Sequence, residues 1–343
     1  MQLRYYLIRG LLFMIPVLIG LSIITFVISH LVPGDPIRLA AGPQARPEEI
    51  EALASEFGMD KPLHVQYLNY MKGLFRGNLG CSMLEHHLVR TDLVRYFRAT
   101  LELVLVSMAF AVIIGIPVAV ASAVYRDRWP DQVSRIFALS SISMPRFWLA
   151  IMLQLILAHY LKRLPVSGHF DPRTPFPCHR RGLLLLDALL ALDFKSFGLA
   201  LKHIAPPAFC QSLTALGLVT RFLRTDVLET LHKDFVMMAR ASGIPERIIL
   251  FKYVLKNALI ATVSMVGFLF GFSLGTSVLI ETVFYWPGVG LYAMKSAMTL
   301  NFQPIMGVTL FVGLLFTLIN LPTDVMYGVL DARIRYGKGR VCW

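Results

Sequence analysis

Long uncharged stretches alternate with short charge-bearing ones along this chain, and their lengths predict its elements. A membrane-spanning helix needs about 20 mostly apolar residues. Gly10–Leu31 is the first such run and Leu103–Val124 the second, both uncharged throughout. Ile136–Leu161 is the third, interrupted at Met144-Pro145-Arg146; Ile204–Thr220, short and holding Pro206-Pro207, is the fourth. Leu259–Ile280, punctuated by glycine, is the fifth, and Pro304–Thr323 with an extension to about Leu330 is the sixth. The pattern predicts an all-α integral membrane protein with six transmembrane helices and both termini on one side. Leu183–Leu192 is apolar but only about half a span long and contains Asp187, which fits a re-entrant or interfacial helix.

Gly10–Leu31 follows Arg4 and Arg9, as a secretory signal would. It is longer than a signal's apolar core of about 7–15 residues and no A-x-A site follows, so it is expected to remain as the first span. The longest segment between spans, residues 32–98, opens with "PGDP" at Pro33–Pro36, a turn leaving the membrane. Ile50, Leu53, Ala54 and Phe57 then fall at helical spacing, predicting a small folded helical cap. No linker or internal repeat divides the chain, so residues 1–343 are expected to form a single membrane domain.

Composition strengthens this picture. Of 343 residues, 56% are hydrophobic and only 16% charged, against about a quarter charged in soluble domains; the mean hydropathy is +0.63. The net charge of +12 comes from basic residues scattered among apolar runs, without the basic stripe of a nucleic-acid binder. With the N-terminus inside, the cytoplasmic pieces hold 16 Lys and Arg in about 73 residues and the outer pieces 16 in about 128, the bias of the positive-inside rule. The basic stretch Lys162–Lys202 runs against it. Cys81, Cys178, Cys210 and Cys342 form no CxxC and no metal spacing, and free thiols are expected.

Catalytic constellations are missing from the sequence. His86-His87 has no carboxylate at ligand spacing, and neither HExxH, GxSxG nor a phosphate-binding G-x-x-x-x-G-K-[ST] loop occurs. Energy for any transport must therefore come from a partner or an ion gradient. A gradient-driven carrier would place acids in mid-membrane. Here Glu102 and Glu281 fall at outer span ends, where water is expected to reach them, while Arg221 and Asp324 lie near cytoplasmic ends. Snorkelling or end-capping accounts for these four; Arg146, inside span three, is the candidate for a functional or interhelical role. Gly267, Gly271 and Gly275 form a stripe suited to close helix packing, with lining of a translocation path as the alternative.

The largest predicted cytoplasmic segment, residues 221–258, contains "ARASGIPERIILFKYVLKNAL" (Ala239–Leu259). A short helix ends at Gly243, a residue tolerant of left-handed angles, and Pro245 opens a second. Ile244, Ile248, Phe251 and Leu255 would share one apolar stripe, with Arg247, Lys252 and Lys256 off it. Burying four such side chains is worth roughly 6–12 kcal/mol gross. The stripe could lie on lipid, pack under its own bundle or enter a partner's groove; own-bundle packing ranks first on physics alone.

The chain resembles the permease subunits of bacterial ATP-binding-cassette importers of the dipeptide/oligopeptide/nickel group. The resemblance covers nearly the whole chain through "PGDP", "ATLEL" (Ala99–Leu103), "GIPVA" (Gly115–Ala119), "SMPRFWL" (Ser143–Leu149), "LPVSG" (Leu164–Gly168), "ETVFYWPGVG" (Glu281–Gly290) and "DARIRY" (Asp331–Tyr336). It implies the type I importer permease fold in the bacterial cytoplasmic (inner) membrane, with both termini cytoplasmic. It further implies a second permease subunit, two ATPases that bind the ATP and magnesium, and an extracytoplasmic substrate-binding protein. No cofactor or catalytic residue is implied in this chain. Ala239, Arg240, Ala241, Gly243, Glu246, Arg247, Ile248, Phe251, Leu255 and Asn257 would then form the coupling loop that docks on an ATPase. Arg146, Gly271, Gly275 and Glu281 would be candidates for the path or gate. Tyr253, Ala261 and Ala332 depart from the residues usual in that group. Dipeptides or oligopeptides are the expected cargo; nickel, D-amino-acid dipeptides or glutathione are the alternatives within the class, and an ion-gradient carrier the alternative outside it.

Overall fold

The computed structural model describes residues 3–160, 168 and 182–330, with side chains for 8–157, 168 and 182–323. Among these residues the regular structure is helical, with one isolated antiparallel bridge, Cys81 to Leu88. The chain runs through α1 (Leu3–Leu31), α2 (Pro36–Ala41), α3 (Pro47–Glu56), α4 (Leu63–Phe75), α5 (Val89–Val124), α6 (Trp129–Ser143) and α7 (Arg146–Gln154). It continues through α8 (Leu184–Leu190), α9 (Phe194–Leu231), α10 (Asp234–Ala241), α11 (Glu246–Ile248), α12 (Leu255–Thr276), α13 (Val278–Val283), α14 (Val289–Met298) and α15 (Phe302–Leu330). The expectations for Asp331–Tyr336 including Ala332, for Cys178 and Cys342, for most of Leu164–Gly168 and for the Asp324 side chain lie outside the described residues.

Among the described residues, four helical runs have the length and apolarity to cross a membrane: Ile8–Leu31, Val89–Val124, Glu246–Thr276 and Phe302–Thr323. A fifth is the pair α6 and α7, bent by 100° at the break, where Pro145 removes a backbone donor and its neighbour Met144 turns extended. The interruption expected at Met144-Pro145-Arg146 is thus a sharp break in the third crossing. α9, whose apolar part looked short, is a 38-residue helix that accommodates Pro206 and Pro207 in its interior. At 1.5 Å per residue it is about 57 Å long, ample for a bilayer core of about 30 Å.

α9 shows only a short apolar run because it is the centre of the bundle. It packs most extensively along α5 and also touches α6, α7, α8 and α12. Gln211, Ser212, Thr220 and Thr230 are buried on it, and a helix surrounded by protein need not be apolar towards lipid. α1 is the opposite case. It leans mainly on α15 and turns Ile8, Leu12, Phe13, Val17, Ile24 and Ile28 outward, a surface whose solvent is hydrocarbon.

The segment expected as a cap is folded. Asp35 caps α2 by accepting from the Ile37 and Arg38 amides at 3.0 and 3.2 Å, with Pro36 at the first helical position. α4 packs back on α1: the Ser22 and Tyr67 hydroxyls lie 2.9 Å apart, and His30 Nε2 lies 3.2 Å from Gln66 Oε1. Phe26, Phe302 and Met306 form the core beneath. The cap ends before residue 98, however. Val89 already begins α5, whose Arg90, Arg95 and Arg98 mask its first turns in a hydropathy reading.

Candidate functional site

The unit expected to couple to a partner is built on a Schellman turn. The Ile244 amide donates to the Ala239 carbonyl at 3.2 Å and the Gly243 amide to the Arg240 carbonyl at 3.0 Å. Gly243 holds φ +76° with open space around it, so its role is conformational. Arg240 spans the turn, donating from Nε to Glu246 Oε1 at 2.7 Å. Pro245 is the N-cap of α11, so the helix begins at Glu246, one residue later than expected.

The predicted apolar stripe is corrected. Residues Ile249–Val254 form a π-helical turn before α12, and its wider i→i+5 spacing rotates the residues beyond it. The buried positions are therefore Ile249, Val254 and Ala258, which join Val236 and Ala239 against Ala119, Ala123, Leu223 and Val227. Ile244 and Leu255 pack at the edge of this core. Ile248 and Phe251 are turned outward, and with Met237 and Met238 they are 46–68% exposed. Ala241 and Arg247 are exposed on the same unit. Asn257 donates to the Tyr253 carbonyl at 2.7 Å, satisfying an acceptor beside the π turn. The segment expected as a loop over residues 221–258 is thus nearly all helix: α9 runs to Leu231, and α11, the π turn and α12 run continuously into the span.

Sequence reasoning missed the clamp that holds this end of the bundle. Arg224 on α9 donates to both Asp131 oxygens, Nε to Oδ1 and Nη2 to Oδ2, each at 2.7 Å. Ser122 on α5 donates to Oδ1 at 2.6 Å and the Asp127 amide to Oδ2 at 3.0 Å. Asp131 is fully buried. The available signal was an acid and a base flanking two spans on the same side.

At the other end the structure overturns an expectation. Glu102 and Glu281 are not water-exposed span ends; they are 4% and 0% exposed. Glu281 Oε1 accepts from the Thr100 hydroxyl at 2.8 Å, and Oε2 accepts from the Gly290 and Leu291 amides at 2.6 and 3.2 Å. Thr100 Oγ1 in turn accepts from the Val289 amide at 2.8 Å. The free amides of the first turn of α14, donors that a helix cannot satisfy itself, are therefore met by two side chains from other elements. Burial pushes the Glu281 carboxyl up from its ordinary value, against hydrogen bonds from Thr100, Ser277, Leu291 and Gly290 that pull it down. A Cβ at Gly288 would overlap Glu281 and Thr100, and one at Gly290 would sit 2.5 Å from the Val278 backbone. The Trp286 indole seals the turn by donating to the Ala99 carbonyl at 2.9 Å. Glu102 does the same for α8, accepting from the Leu185 amide at 2.6 Å.

Arg146 starts α7 just past the break and ties three helices. Its Nε donates to the Thr214 hydroxyl at 3.0 Å and Nη1 to the Thr276 hydroxyl at 2.8 Å, with the guanidinium 5.8 Å from the Phe272 ring centre. The glycine stripe faces α15: a Cβ at Gly267 would overlap Thr323, one at Gly271 would meet Phe316 at 3.3 Å, and one at Gly275 would meet Val312 at 3.7 Å. Gly271 is buried there and makes a packing contact, not an open wall; Gly275 alone of the three is exposed.

Residues 111–336 match the family described as binding-protein-dependent transport system inner membrane component, and residues 2–88 its N-terminal membrane component. A protein of Escherichia coli named probable D,D-dipeptide transport system permease protein DdpB is 41% identical over 94% of this chain and 95% of its own length. The dipeptide transport system permease protein DppB of Alkalihalophilus pseudofirmus is 38% identical over 96% and 99%. The glutathione transport system permease protein GsiC of Salmonella choleraesuis is 34% identical over the same shares.

Proposed function

The chain belongs to the family of binding-protein-dependent transport system inner membrane components, and we propose that it is the permease for short peptides in an ATP-driven importer. It is a multi-pass inner-membrane transport component rather than an enzyme, working with a substrate-binding protein and an ATPase. In the finer reading it pairs with a second permease, and two cytoplasmic ATPases supply ATP hydrolysis with magnesium. Both termini of the chain lie in the cytoplasm.

The exposed knuckle of Met237, Met238, Ile248 and Phe251 is the observation that supports ATPase coupling. Methionine and aromatic residues are enriched in interface cores, with charges kept to the rim, and Arg240, Arg247, Lys252 and Lys256 are exposed on the same unit. Behind the knuckle, Ile249, Val254 and Ala258 are packed on α5 and α9, so a push on it is delivered to two long helices and directly to α12. Arg146, Gly275 and Glu281 belong, in this reading, to the path and its outer gate.

Peptide cargo is supported by relatives named for dipeptides and D,D-dipeptides; glutathione, itself a small peptide, is the second reading because of the GsiC match. The test is reconstitution of the chain with its partner subunits in vesicles. Phe251→Asp combined with Met238→Asp, and separately Arg247→Glu, should abolish uptake of alanyl-alanine and the stimulation of ATP hydrolysis by loaded binding protein. Coupled uptake at the unaltered rate in these variants would remove the knuckle from the mechanism.

A further inference from the structure

Between the first turns of α5 and the helix α14 lies a cavity of about 1080 Å³. Arg90, Arg95 and Arg98 on α5 and Lys295 on α14 line it, and no carboxylate is among its described lining residues. Arg90 and Arg98 are eight residues apart on one helix face, with Arg95 on the adjoining row. Aromatic rings give the cavity walls: Tyr96 stacks on Tyr292 with centroids 4.8 Å apart, and the Lys295 ammonium lies 4.5 Å from the Tyr285 ring centre. Arg98 crosses Gly182 so closely that a Cβ there would sit 2.8 Å from Arg98 Cδ. Among the described residues, Asp187 accepts from the lining Gly182 amide at 3.1 Å and Glu281 from the lining Leu291 amide at 3.2 Å, and Glu85 and Asp92 lie close to Tyr96 and Tyr292. Asp92 is buried and occupied, accepting from the Tyr292 hydroxyl at 3.2 Å with His87 Nδ1 at 3.8 Å, and Glu85 is on the exposed hairpin.

We propose that this cavity receives the carboxylate end of the transported peptide; the proposal rests on the peptide-import reading and deepens it. Its volume is at the upper end of small-molecule sites, and apolar or aromatic walls with a few convergent polar groups are what such sites present. Arginine forks bind carboxylates through paired charge-assisted hydrogen bonds. The same four cations repel a metal ion such as nickel, so the site favours a peptide over the metal. Its floor is part of the gate machinery: Ala99 and Leu291 line the cavity, and the neighbouring Thr100 hydroxyl and the Leu291 amide both donate to Glu281. Two residues of the lining are thus next to, or among, the groups that hold α14 in place.

The test is equilibrium dialysis of labelled alanyl-alanine and of its C-terminal amide against the complete detergent-solubilised transporter, without binding protein or anionic lipid. The free acid should be retained about tenfold better than the amide, and the triple variant Arg90→Gln, Arg95→Gln, Arg98→Gln should erase that difference while unfolding at the same temperature. Lys295→Gln should narrow it. Equal retention of acid and amide, no retention of either at millimolar concentration, or an unaltered preference in the triple variant overturns the proposal. So does a triple variant that keeps the preference but loses capture of unloaded binding protein, which would make the cleft a protein-docking surface. Appearance of the preference only after phosphatidylglycerol is added would assign the charges to lipid and overturn it as well. Uptake of alanyl-alanine by vesicles of the unaltered transporter is measured in parallel: its absence defeats the import reading, whatever dialysis says of the cavity.

Discussion

The Thr100 hydroxyl donates to Glu281 Oε1 at 2.8 Å across 181 residues of sequence, one of the bonds that join α5 to the segment leading into α14. Thr100→Val keeps the shape but leaves the Val289 amide without its acceptor and Glu281 Oε1 without the Thr100 donor. Each buried group left unpaired costs about 1–3 kcal/mol. A clear fall in the thermal unfolding midpoint of the purified protein in detergent is expected, and a larger one for Glu281→Ala, which strands the Gly290 and Leu291 amides. Midpoints that match the unaltered protein would show that the network carries no stability.

The clamp at the opposite end calls for a double-mutant cycle. Arg224→Met alone leaves the fully buried Asp131 charge without its bidentate partner, and removing one side of a buried pair costs about 3–5 kcal/mol. Adding Asp131→Leu should recover much of that loss, since no charge then remains buried. Additive losses in the double variant would refute a direct pairing.

At Gly243 only the backbone resists a side chain, because φ is +76° and nothing lies within 4 Å of the place a methyl group would take. Gly243→Ala should cost about 1 kcal/mol and Gly243→Asn less, since asparagine visits left-handed angles more readily. Gly288→Ala meets the Glu281 and Thr100 side chains directly and should be the more damaging of the two alanines. The reverse order in thermal unfolding would contradict the steric account.

Cys81 offers a pH-dependent readout. Burial pushes its thiol up from the ordinary value, with Glu56 and Asp92 adding to the shift. A raised pKa means less thiolate at a given pH, and thiolate is the reactive form. In a chain with Cys178 and Cys342 replaced by serine, and with Cys210 buried, maleimide labelling at pH 7 should be slower than for a free cysteine. The rate should still be climbing above pH 9. Labelling that levels off below pH 8 would contradict that environment.

Several features were legible because they are local. Apolar runs marked α1, α12 and α15, since lipid imposes its chemistry on every residue facing it. "ASGIP" carried its own turn instructions, and the Schellman bonds at Gly243 come directly from them. "PGDP" likewise specified the Asp35 cap and the Pro36 start of α2. Polar residues hid parts of other elements. Arg90, Arg95 and Arg98 disguised the opening turns of α5, and Gln211, Ser212 and Thr220 lowered the hydropathy of α9, the helix most enclosed by protein.

The sequence by itself determined the membrane as solvent, the order of the helices and the turn at Gly243, because each depends on composition or on neighbours within a few residues. The fates of Glu102, Glu281, Asp131 and Phe251 were decided only by tertiary structure. A carboxylate at a span end reads as solvated until a helix N-terminus from elsewhere in the chain arrives to meet it, as α14 does for Glu281 and α8 for Glu102. Asp131 is tolerated only because Arg224, 93 residues away, closes on it. A regular helical period places Phe251 and Leu255 on one face, but the π turn at Ile249–Val254 turns Phe251 outward and sets Leu255 at the edge of the core.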